Sequence, residues 1–109
     1  MKDHRLIDER SLAFHRLVAE KLRADPGLLD LARANLCRWE ASASPRVRPV
    51  LAEWRALIDA PRDELLAVLA GGDERATRLR QSSPFAGALT PGERFAILRE
   101  FQSRESHAA

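Results

Sequence analysis

Apolar residues recur along this chain at helical spacing, in six runs divided by proline- and glycine-bearing breaks. In the first run Phe14, Leu17, Val18 and Leu22 share one face, extended by Ile7, which predicts a helix over 8–24. Leu28, Leu29, Ala32, Leu36 and Trp39 mark a second helix over 26–41. The break between them is only Asp25-Pro26-Gly27, and so short a connection predicts an antiparallel helical hairpin. Val50, Leu51, Trp54, Leu57 and Ile58 make the stripe of a third helix over 49–59. Leu65, Leu66, Val68 and Leu69 mark a fourth over 61–70, stopped by Gly71-Gly72. Ala76 and Leu79 face inward from a short fifth helix over 74–81 that Asp73 can cap. A turn-rich stretch over 82–89 follows, and then a sixth helix over 91–104 with Phe95, Ile97, Leu98 and Phe101. From about 103 the chain reads as a polar tail.

The punctuation agrees with the periodicity. Asp25-Pro26, Arg48-Pro49, Ala60-Pro61 and Thr90-Pro91 each precede an apolar run. Proline is tolerated at the first helical position, where its missing N–H has no intrahelical partner. Thr90 and Glu93 have the spacing of a capping box. The expected fold is all-α, a compact bundle of five or six short helices forming one domain over 1–109. Its expected core holds Phe14, Leu17, Val18, Leu28, Ala32, Leu36, Trp39, Val50, Trp54, Leu57, Leu65 and Leu69.

Composition narrows the class without naming a chemistry. An apolar fraction of 45% with 31% charged residues fits a globular chain. No apolar stretch approaches the roughly 20 residues of a membrane span. The start, Met1 to Arg5, leads into a charged helix and not into a signal-peptide core. The single cysteine, Cys37, excludes an internal disulfide, and the expected location is the cytoplasm. The net charge is +2, and all basic residues but Lys2 and Lys21 are arginine. Arginine suits nucleic acid, but here it alternates with Asp and Glu along the helices instead of forming a basic stripe. Bacterial GC-rich coding explains the preference better than a nucleic-acid surface does.

Candidate catalytic residues are sparse. Arg10 and His15, separated by four residues, resemble the motif of HEPN ribonucleases, small all-α RNA-cutting domains. That resemblance implies an arginine holding a phosphate and a histidine moving a proton. In that family the motif normally sits late in the bundle, whereas here it lies near the start. His4, His15 and His107 are scattered and Cys37 stands alone, so no metal and no cofactor are expected. Gly71-Gly72 runs into Asp73-Glu74, which would repel a phosphate. Ser11, Ser82 and Ser83 lack an activating histidine and acid. Pro84 and Pro91 interrupt the only stretch, 79–101, that approaches a helix-turn-helix. Trp39 and Trp54, on consecutive apolar stripes, are expected to pack together.

The most distinctive segment runs from Leu79 to Phe95, with two prolines, small residues and large apolar side chains. Either Phe85 and Leu89 fold back onto the core, or Phe85, Leu89, Phe95 and Phe101 form an apolar surface for a partner. The helical hairpin, the tryptophan-bearing helices and the stretch Arg80-Gln81-Ser82-Ser83-Pro84-Phe85-Ala86-Gly87 together resemble small bacterial antitoxins, proteins encoded beside toxins. The resemblance covers nearly the whole chain. It implies a non-enzymatic protein-binding module that silences a partner toxin, with those four apolar residues as its binding surface. A nucleic-acid-binding regulator is the first alternative and a HEPN-like ribonuclease the second. The expected partner is a protein ahead of nucleic acid, and no membrane.

Overall fold

The structure, a computed structural model, describes the backbone of residues 2–108 and the side chains of residues 5–103. The described residues form an all-α bundle: α1 (Lys2–Ala24), α2 (Leu28–Glu40), α3 (Arg48–Asp59), α4 (Arg62–Ala70), α5 (Glu74–Arg80) and α6 (Pro91–Ala108). α1 starts earlier than the periodicity predicts, and α6 continues to Ala108 instead of ending near 104. Nothing between Gln102 and Ala108 is a glycine or proline, so the polar composition read as a tail carries no helix breaker.

Proline marks each expected start but at different depths. Pro91 is the first residue of α6, and the capping box closes there. The Thr90 N–H donates to Glu93 Oε1 at 2.8 Å, and the Glu93 N–H donates to Thr90 Oγ1 at 3.1 Å. Pro49 is the second residue of α3. Pro61 is the cap of α4, with extended ψ of 140°. Pro26 lies outside α2, in a turn where the Gly27 N–H donates to the Asp25 carboxylate at 2.9 Å.

α1 is the hub. It packs most extensively on α4, then on α6 and α5, and more slightly on its sequence neighbour α2. Val18, Ala19 and Leu22 are its fully buried residues. α4 also packs closely on α5, and α2 on α3, the latter pair fastened by Arg55, whose Nε and Nη2 donate to the two Glu40 oxygens at 2.9 and 2.7 Å. α5 is tied to α3 by Arg78 and Glu53. Of the expected core, Val18, Ala32, Leu36, Trp54, Leu57, Leu65 and Leu69 are buried, while Phe14, Leu17, Leu28, Trp39 and Val50 pack against its edge.

Trp54 is the centre of that core, 0% exposed. Its indole N–H donates to the Leu79 carbonyl at 2.9 Å, so the polar edge of the ring is satisfied inside. Its aromatic neighbour is not Trp39 but Phe85, edge-on at 6.2 Å between centroids. Arg80, the last residue of α5, is buried too, and its Nη1 donates to the Val68 and Gly71 carbonyls at the end of α4. A cation there completes the helix terminus and matches its dipole.

Candidate binding surfaces

The segment from Gln81 to Thr90 turns Pro84, Phe85, Ala88 and Leu89 into the molecule and leaves Gln81, Ala86, Gly87 and Thr90 exposed. Phe85 and Leu89 are 5% and 8% exposed, and Phe101 on α6 is 4% exposed. Of the four residues expected to form an apolar partner surface, only Phe95 is on the outside, at 61%. Phe85 and Leu89 have therefore taken the folded-back alternative, and in the lone chain Phe85, Leu89 and Phe101 are not available to a partner.

Two side chains from earlier helices hold this segment by its backbone, and a third holds the residue leading into it. Asn35 of α2, 3% exposed, donates through Nδ2 to the Pro84 carbonyl at 2.7 Å and the Ala86 carbonyl at 3.0 Å. Its own Oδ1 accepts from Arg38. Lys21 of α1 donates to the Ala88 carbonyl at 2.7 Å and to Glu93 at 2.6 Å. Trp54 reaches Leu79 just upstream. Between these anchors the Ala88 N–H donates to the Phe85 carbonyl at 3.0 Å, and Gly87 has φ of +89°. Those features make a type II turn, whose third position favours glycine. Lys21, with help from the Thr90 N–H, holds the Glu93 carboxyl below its usual range. Asn35 had a signal in the sequence: it is the polar residue on an otherwise apolar stripe between Ala32 and Leu36.

With Phe85 and Leu89 inside, the outer surface keeps two hollows of interest. The larger is a groove of about 550 Å³ between the end of α2, the 41–47 connection, α3 and the start of the 81–90 segment. Trp39, Ala43, Val47 and Leu51 supply its apolar lining, and Ser42, Ser44, Gln81, Ser82 and Ser83 its polar edge. Trp39 is half-buried and Val47 is 41% exposed. The second is a cavity of about 220 Å³ walled by α1, α5, α6 and the loop, with His15, Arg80 and Arg94 among its lining residues.

His15 donates through Nδ1 to the Ser11 carbonyl at 2.7 Å, and burial lowers its pKa below the ordinary value against the opposing pull of that carbonyl. Since a carbonyl only accepts, Nδ1 carries the proton. Residues five apart on a helix lie about 140° apart around its axis, so Arg10 points away from His15, and it does not line the His15 cavity. Cys37 is exposed, with its sulfur 3.6 Å from an Arg55 nitrogen already engaged by Glu40. His4 and His107 lie outside the residues whose side chains are described. Among the described residues, no group of three His, Cys, Asp or Glu could hold a metal, and no helix is long and apolar enough to cross a membrane.

No family model matches this chain, and no curated protein or solved structure shows significant similarity to it. What it does has to be argued from these surfaces.

Proposed function

We propose that this chain is a non-enzymatic protein-binding module, and that the groove around Trp39 receives an acidic segment of the partner protein bearing an apolar anchor. One observation carries the reading. The groove has an apolar lining, yet the chain around it is free of acid. Between Glu40 and Glu53 there are two arginines, Arg46 and Arg48, and no carboxylate, and from Gln81 to Gly92 there is no charged residue. Arg48 lies against the groove wall, its Nε donating to the Ala43 carbonyl at 3.3 Å, and Glu40 is neutralised by Arg55. An apolar side chain would be buried on Trp39, Val47 and Leu51, while carboxylates beside it would meet arginines instead of like charge.

The resemblance to antitoxins makes that partner a toxin encoded beside this chain. Co-expression tests it: the product of the adjacent gene is expected to arrest growth alone, and to co-purify with this chain and lose its toxicity when both are made. Growth arrest that persists with both proteins present, and no co-purification, would remove the antitoxin reading.

A further inference from the structure

The smaller cavity shares Gln81 and Ser83 with the groove but has the opposite character. It holds about 220 Å³, and its polar lining comes from every side: His15 from α1, Arg80 from α5, Arg94 from α6, and Gln81 and Ser83 from the loop. No carboxylate lines it. Arg80 is 5% exposed, and its hydrogen bonds go to carbonyls and the Thr77 hydroxyl, so none of them neutralises its charge. Its Nε has no hydrogen-bond partner among the described residues. Asp8 and Asp73 act on Arg80 electrostatically, as does Arg16 with the opposite sign, but none of the three lines the cavity. Arg94 lies over the Phe14 ring at 4.8 Å and is paired with no acid among the described residues. The cavity is thus a part-open hollow with two guanidinium groups, one buried and one exposed, and a histidine at its wall. Such an arrangement attracts an anion.

We infer that this cavity is a binding site for the phosphate group of a small molecule, held by Arg94, Ser83 and His15 in the field of Arg80. A phosphate presents three acceptor oxygens in different directions, which suits donors arriving from two helices and a loop better than a planar carboxylate does. Ser83 Oγ accepts from the Phe85 N–H at 3.2 Å, which leaves its own hydrogen to donate inward. His15 couples binding to protonation. Its Nδ1 proton is committed to the Ser11 carbonyl, so Nε2 becomes a donor only when the ring takes up a second proton. An arriving anion supplies the opposite charge that favours this uptake, against the burial and the Arg80 charge that resist it in the empty site.

The experiment is an NMR pH titration of the His15 imidazole, assigned with His15→Gln, in sodium phosphate and in sodium acetate, each against chloride at equal ionic strength. Phosphate is expected to raise the His15 midpoint by about one pH unit, acetate by much less, and chloride not at all. Arg94→Gln, which removes an exposed guanidinium, is expected to abolish most of the phosphate-induced rise, and Ser83→Ala part of it, with the fold retained in the spectrum. A midpoint that phosphate leaves in place, an equal rise in acetate, or a full phosphate response in Arg94→Gln would each overturn the site. His15 and Arg94 do not line the Trp39 groove, so their readouts separate failure of this site from failure of the groove reading.

Discussion

At the scale of single residues, a few buried polar atoms decide how the last third of the chain is placed. Asn35 satisfies two loop carbonyls that have no other described donor. Asn35→Ala would leave the buried Pro84 carbonyl without a partner and release the part-buried Ala86 carbonyl, and a loss of about 2 kcal/mol is expected in denaturant unfolding. Trp54→Ala removes a fully buried ring and the donor to Leu79. It should cost about 3–5 kcal/mol, and a loss under about 1 kcal/mol would contradict its central position. His15 gives the stability a pH dependence. Its pKa is lower folded than the ordinary 6.5, so the unfolded chain binds the proton first as pH falls. The stabilisation is complete above 6.5 and lost as pH drops from there through the folded value. The depressed carboxyls Glu40 and Glu93 act in the same direction, but below their ordinary 4.5. His15→Gln should therefore flatten the stability profile just below pH 6.5, and an unchanged slope there would mean that another group is responsible.

At the scale of elements, helix placement was legible because apolar spacing and proline punctuation report local physics. Thr90 and Glu93 cap α6 as their spacing requires, and Thr90→Ala should cost about 1 kcal/mol. The connecting segment was not legible in the same way. A stretch with Pro84, Gly87 and Pro91 carries no period, so its apolar residues give no face, and whether Phe85 points inward depends on Asn35, 49 positions away at Pro84, and on Lys21, 67 away at Ala88. The pairing of the two tryptophans failed for a related reason. Periodicity put both on stripes, but Trp39 ends α2 at the bundle's edge and Phe85 fills the place beside Trp54. Two glycines, Gly87 in the connecting segment and Gly72 between α4 and α5, give a direct check of the backbone geometry. Gly87→Ala, at φ of +89°, should destabilise by about 1–2 kcal/mol. Gly72→Ala, where an added methyl group meets nothing within 4 Å, should be neutral or gain about 0.4–1 kcal/mol.

At the scale of the whole molecule, burying Phe85, Leu89 and Phe101 completes a core around α1 and relocates the outward-facing apolar surface to the groove of Trp39, Val47 and Leu51. The four apolar residues singled out in the sequence were the right kind of residue in a segment that turns inward, and only Phe95 remains outside. The groove had a weaker signal, an acid-free stretch between Glu40 and Glu53, because its lining comes from elements about 40 positions apart in the chain. Val47 is the residue that separates binding from folding, since it is 41% exposed on the rim of the groove. Val47→Asp places a carboxylate where the proposed partner brings its own, and interface anchors typically carry about 2 kcal/mol or more each. The decisive measurement is isothermal titration of the adjacent gene's product into wild-type protein and into Val47→Asp. Binding to the wild type, weakened by at least about tenfold in a variant that melts at the wild-type temperature, is the expected result. Undiminished binding to Val47→Asp would contradict the groove as the docking surface.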